Sequence, residues 1–303
     1  MMSYDFQTTT HGKWILAGEH AVIRGHGALV FPIETKKFIL TYQNSTYELS
    51  ADYEGESGAD MHLLFWSVLE QGMQILGKSI NKLNGHFHLY SNIPVGVGMG
   101  ASAALCVATA RWFAAQNMLI NIDVHNFARE LENLFHGQSS GLDIAGVAAT
   151  DGIYFQGGVC SPVKQAWKPQ WFLSSCGQIG ITSHCINQVQ TIWQDDQKRA
   201  EKIDAQMADT VAQARVALEQ DTRQSQSMLC EAINSAADCF TQWGLVSESL
   251  QQHMLRLHDA GAIAVKPTGS GGGGYVISLW ESPPPSDMSG ELIPLAACEQ
   301  QRV

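Results

Sequence analysis

Apolar and polar positions along the chain change period several times, and each change marks an element. Lys13 to Val22 opens with a short apolar run, Trp14 to Ala17, and turns polar at Gly18-Glu19-His20. Val30 to Ile33 and Lys37 to Tyr42 read as strands, with Tyr47 to Ser50 as an edge strand. Met61 to Leu76 places apolar residues at helical spacing and stops at Gly77. A strand is predicted over Gly85 to Ile93 and a helix over Ala103 to Gln116. A further helix runs from Asp123, as its cap, to Phe135, with Phe127, Leu131 and Leu134 on one face. A small-residue helix over Ile144 to Thr150 and a strand or turn over Gly152 to Phe155 follow.

Trp167 to Trp171 sets a proline between aromatics and is the best boundary, giving domains 1–168 and 169–303. Beyond it, Phe172 to Thr182 reads as a strand pair or a strand with a turn. Gln188 to Gln220 reads as a long polar helical stretch with room for one break. Helices over Thr222 to Gln242 and Ser247 to Ala260 follow, then strands over Ala262 to Val265, Tyr275 to Leu279 and Leu292 to Ala297. Strands and helices mix without strict alternation, so the fold class is α+β. The helices between 188 and 242 are candidates either for internal packing or for a homodimer face.

Composition narrows the function. A net charge of -11 speaks against a nucleic-acid or anionic-membrane surface, so any phosphate site must be local. The 7 cysteines are scattered and contain no C-x-x-C pair, which fits reduced thiols rather than a disulfide framework or zinc site. No basic-then-apolar leader opens the sequence, and no apolar run reaches the roughly 18 residues of a membrane span. The expectation is a soluble, cytoplasmic protein.

Between the strand ending near Ile93 and the helix after it lies Pro94-Val95-Gly96-Val97-Gly98-Met99-Gly100-Ala101-Ser102. Alternating glycines let backbone N–H groups approach a phosphate, and the following helix N-terminus favours negative charge. Ser102 could cap that helix or ligate a magnesium ion. The spacing matches neither the dinucleotide fingerprint nor the P-loop, so a plain connecting turn stays open.

Other candidates carry bland alternatives of the same kind. Lys13 could neutralise a transferring phosphoryl group or be a solvated lysine. Glu19 and His20 could meet a substrate or pair with neighbours. Glu132 and His136 share a helix face, and Glu132 could serve magnesium. Asp143 could orient or deprotonate a hydroxyl, or cap a helix. Gly269 and Gly271 to Gly274 abut good strands on both sides, where mere flexibility is costly.

Four stretches in order, Gly12-Lys13 to Val22, Pro94 to Ala104, His136 to Asp143 and Lys266 to Gly274, resemble the GHMP kinase superfamily. Gly18-Glu19-His20-Ala21-Val22 followed by Gly25, and Glu132 four before His136, are most similar to its mevalonate kinases. The resemblance implies an N-terminal domain like ribosomal protein S5 domain 2 and a ferredoxin-like C-terminal domain. It also implies ATP and Mg2+ as cofactors and a small hydroxylated substrate, phosphorylated at the C5 hydroxyl if that substrate is mevalonate.

By this similarity Pro94, Gly96, Val97, Gly98, Met99, Gly100, Ala101 and Ser102 would bind ATP, and Ser102 and Glu132 would hold magnesium. Lys13 and Asp143 would be catalytic. Glu19, His20, Gly271, Gly272 and Gly273 would line the substrate pocket. The chain departs from the pattern at His11, Ala101 and Ser139, where the usual residues are Pro, Ser and Pro. Alternatives are a sister kinase for phosphomevalonate, a sugar or homoserine, and a non-catalytic nucleotide-binding protein on the same fold.

Overall fold

In the computed structural model, residues 4–136 and 139–295 are described, and they fall into two compact units. One holds the chain up to Lys13 together with Pro32–Thr150; the other holds Trp14–Phe31 and the chain from Asp151 onward. Strands β1 (Phe6–Ala17) and β2 (Ala28–Glu48) therefore each continue from one unit into the other.

In the first unit β2 pairs with β1, and β3 (Ser50–Glu54) is followed by helix α1 (Gly58–Ile75) and strand β4 (Asn84–Ser91). β4 lies antiparallel to β2, with Phe38 opposite Ser91 and Tyr42 opposite Phe87, and parallel to β3. Its period-2 pattern sends Phe87 and Leu89 inward and His86 and His88 outward. The inward face meets α1, α2 (Ala101–Ala115) and α3 (Val124–His136) through an aromatic run. Phe65–Phe87 and Phe87–Trp112 centroids are 5.0 and 4.9 Å apart, and Phe113–Phe127 are 5.4 Å apart. α2, α3 and the short α4 (Leu142–Ala148) pack on one another.

In the second unit Ala28, Leu29 and Val30 of β2 pair with β5 (Ile153–Gln156), which pairs with β6 (Val159–Pro162). β7 (Gln170–Ser175) leads to helices α5 (Thr182–Asp195), α6 (Gln197–Glu219), α7 (Ser225–Gln242) and α8 (Glu248–Asp259). β8 (Ala264–Thr268), β9 (Tyr275–Trp280) and β10 (Ile293–Pro294) complete an antiparallel sheet in the order β10-β7-β9-β8. Numbered along the chain, this is the 4-1-3-2 order of a ferredoxin-like sheet, with the second crossover reduced to a turn of 3₁₀ helix at Ser286–Met288. Trp14 stacks on Phe31 with centroids 4.8 Å apart and tilts against Trp171 at 5.4 Å.

Several expectations are corrected. The strands expected over 30–33 and 37–42 are one strand, because Glu34, Thr35 and Lys37 sit exposed on it and need not break it. Leu134 does not share the buried face of α3: Phe127 and Leu131 are sealed, but Leu134 is 45 % exposed. Of the two readings over 172–182, the strand with a turn holds: the rest of β7 runs into a turn, and only Thr182 already belongs to α5. The last strand is only Ile293–Pro294, and the part expected beyond 295 lies outside the described residues. The long helical stretch does break once, where Asp196 accepts a hydrogen bond from Arg199 N at 3.0 Å and so caps α6.

Candidate active site

The first unit places Lys13, the glycine loop, Glu132 and Asp143 in one unit. Gly96, Gly98 and Gly100 all adopt left-handed φ, near +80°. A side chain at Gly96 or Gly98 would meet nothing within 4 Å, and both residues are exposed, so the loop presents open backbone. Gly100 differs: a Cβ there would lie 2.8 Å from Val147 Cγ1 and 2.9 Å from Lys13 Cγ. Its bareness lets the lysine stem pass, and it also caps α2. Pro94, Val95 and Val97 are partly exposed, Met99 and Ala101 are buried, and Ser102 sits partly exposed in the first turn of α2.

Lys13 N–H donates to Met99 O at 2.9 Å, which fixes the lysine against the loop. Its Nζ, on a side chain only 2 % exposed, meets Asp143 Oδ1 at 2.7 Å. Asp143 lies in the first turn of α4, after Gly141 turns the chain at φ +84°, and keeps 34 % exposure. Thus the carboxylate remains reachable while its cation does not.

Glu132, on α3, is 1 % exposed. Ser139 Oγ donates to its Oε2, while Oε1 has no hydrogen-bond partner among the described residues. Burial first, then the charge of Asp143, push the Glu132 carboxyl up to about 7, against the pull of Ser139, Lys13 and Arg129. A buried carboxylate oxygen lacking a donor is a place where a cation fits. Magnesium takes oxygen ligands and is usually held by one or two carboxylates plus substrate phosphates. No cluster of three or more acidic, His or Cys ligands is found among the described residues. Glu132 has a buried oxygen that could hold such a cation, and Ser102 lies on a helix packed against its own.

The second unit holds the other predicted residues. Glu19 Oε1 accepts from Lys266 Nζ at 2.6 Å, with side-chain exposures of 1 % and 0 %. The ammonium also lies 5.1 Å from the Phe240 ring centroid. Burial lowers the Lys266 pKa, and Glu19 opposes that shift. His20 has a left-handed φ of 59°, rare outside glycine, and its Nε2 lies 2.9 Å from Ser270 O. The ring packs edge-on against Trp243 at 5.2 Å, and burial drops its pKa to about 4, so the imidazole is neutral. Gly271, Gly272 and Gly273 all have positive φ. Gly272 N–H is used on Leu245 O at 2.7 Å and Gly274 N–H on Gln178 O at 2.6 Å. A Cβ at Gly273 would lie 2.7 Å from Gly180 N.

An open loop thus runs into α2, with a buried lysine paired to a reachable aspartate beside it. A family model described as the GHMP kinases N-terminal domain matches residues 64–151. Mevalonate kinase of L. major, solved with R-mevalonate, superposes at TM-score 0.76 with 22 % identity, covering 94 % of this chain and 89 % of that one. The fold is that of the GHMP kinases. Among curated relatives, mevalonate kinase of Pyrococcus horikoshii is 24 % identical, covering 88 % of this chain and 86 % of its own length. That of Aeropyrum pernix is 27 % identical, covering 89 % and 87 %.

Sequence reasoning missed Lys266 as the partner of Glu19 and Ser139 as the partner of Glu132. The first pair is 247 residues apart, and no spacing signals it. Ser139 stood out only as a departure from the GHMP pattern. His136 begins the third resembling stretch and ends α3.

Proposed function

We propose that the chain is an ATP-dependent kinase that phosphorylates the C5 hydroxyl of mevalonate. The observation that carries this reading is the Lys13–Asp143 pair beside the open glycine loop, with a bare Glu132 oxygen in the same unit. Phosphoryl transfer asks a protein mainly for alignment and charge neutralisation. The loop amides and the N-terminus of α2 suit the ATP phosphates. Lys13, held against Asp143 at 2.7 Å, keeps that carboxylate aimed. Asp143, exposed on one side, receives or orients the acceptor hydroxyl. Magnesium, when bound at Glu132 and Ser102, would neutralise phosphate charge. Glu19, His20 and Gly271 to Gly273 would shape the acceptor pocket. Mevalonate as acceptor is supported by the names of relatives matched over 86 % and 87 % of their own length and by the motif around Glu19 and His20.

A coupled ADP-release assay with ATP, magnesium and, separately, mevalonate, phosphomevalonate, homoserine and galactose tests this. Turnover with mevalonate alone is expected. Turnover with another acceptor would overturn the substrate, and ATP binding with no turnover would overturn the activity.

A further inference from the structure

Ser139 stands between α3 and α4 in place of the proline that the resembling motif usually carries. The chain here is built around a serine. Ser139 N–H donates to Asn133 Oδ1 at 2.8 Å, and its carbonyl accepts from Arg129 Nε at 2.9 Å. Its hydroxyl accepts from Gly141 N–H at 3.0 Å and donates to Glu132 Oε2. Arg129, Glu132 and Asn133 sit three and four residues apart, on one face of α3. All three main hydrogen-bonding groups of a residue only 7 % exposed are thereby tied to that face or to the start of α4.

The direction of each bond is fixed by chemistry. Gly141 N–H can only donate, and Glu132 in the ionised form that holds a cation can only accept, so in that form the single hydroxyl proton goes to Glu132. One carboxylate oxygen is occupied, and the carboxylate cannot turn without losing that bond. The other oxygen, Oε1, is left bare. A proline at this position has neither N–H nor hydroxyl, and could make neither the Asn133 nor the Glu132 bond.

We propose that Ser139 is a positioning residue: it clamps one oxygen of Glu132 so that the other faces a divalent cation. The proposal rests on the phosphotransferase reading above. It also recasts a departure from the GHMP pattern as a device of this chain. Groups that orient a ligating carboxylate typically carry about 10–100-fold in metal affinity.

The test is a manganese titration of the full chain with a non-hydrolysable ATP analogue, followed by electron paramagnetic resonance. For Ser139→Ala, manganese affinity in the ternary complex is expected to fall at least about tenfold. Affinity for the analogue without metal should stay within about twofold, because the loop glycines are untouched. Ser139→Thr, which keeps the hydroxyl, should restore manganese binding. If Ser139→Ala does not fold, Ser139→Cys, with its weak donor, takes its place with the same expected direction. Wild-type manganese affinity in the Ala variant, or a folded Thr variant that fails to restore it, would overturn the proposal alone. A wild-type chain that binds neither the analogue nor manganese with it would overturn the phosphotransferase reading, and the proposal with it.

Discussion

Lys13 meets Asp143 at 2.7 Å, and Lys266 meets Glu19 at 2.6 Å, yet the two pairs sit in opposite surroundings. The first keeps its lysine buried and leaves its aspartate a third exposed, beside a glutamate with an unmatched oxygen. The second is sealed on both sides, roofed by Phe240 and next to a neutral His20. Length alone says nothing about purpose. A pair open on its anionic side can hand that anion to a ligand, whereas a sealed pair can act only by holding its neighbours. Removing one partner of a sealed pair strands a charge out of water, while the open pair can be rehydrated.

The largest effect should therefore come from the sealed pair. Glu19→Gln leaves Lys266 charged with no counter-ion, and is expected to lower stability by about 3–5 kcal/mol in urea unfolding. The double variant Glu19→Gln with Lys266→Met should recover most of that loss, since an apolar replacement of both partners is often near neutral. A single-variant loss below about 1 kcal/mol would show that the pair is not sealed in solution.

Next comes the open pair, read by activity. Asp143→Ala should lower kcat in the ADP-release assay at least about a hundredfold, the usual scale for a positioned proton acceptor. Its stability cost should stay near 1 kcal/mol, because Asp143 is partly solvated and the Glu132 carboxylate remains near Lys13. Unchanged turnover together with a large stability loss would abolish the contrast between the pairs.

The glycine loop of the open site was legible in the sequence because it is local, whereas Lys13 and Asp143, far apart along the chain, came together only through the family resemblance. Three glycines in five residues between a strand and a helix can be read without a fold, and the structure gives all three left-handed φ. The capping of α3 by Asp123, which accepts from Asn126 N at 2.9 Å, was equally readable. The sealed pair was not legible, since Lys266 reaches Glu19 only after the four helices α5–α8 have been laid down between them. Nor was the exchange of 14–31 between the units, because β1 and β2 cross the division as unbroken strands. Leu134 misled for a simpler reason: helical spacing marks a face, and only packing decides how far that face is covered.

The smallest predicted effect lies beside the sealed pair and depends on pH. His20 has a folded pKa near 4, against 6.5 in an unfolded chain, because burial disfavours the imidazolium. Between these values the unfolded state binds the proton and the folded state does not. Stability is then complete above pH 6.5, declines as pH falls toward 4, and levels off below it. At pH 5 this amounts to about 2 kcal/mol relative to pH 8. Other buried histidines such as His253 shift the same way, so the contribution is isolated by difference. His20→Asn suits the purpose, because asparagine tolerates the left-handed φ and does not titrate. The gap in unfolding free energy between wild type and this variant should narrow, or change in the variant's favour, by about 2 kcal/mol from pH 8 to pH 5. A gap independent of pH would mean that water reaches His20, and the surroundings of Glu19 and Lys266 would then be no more sealed than those of Lys13.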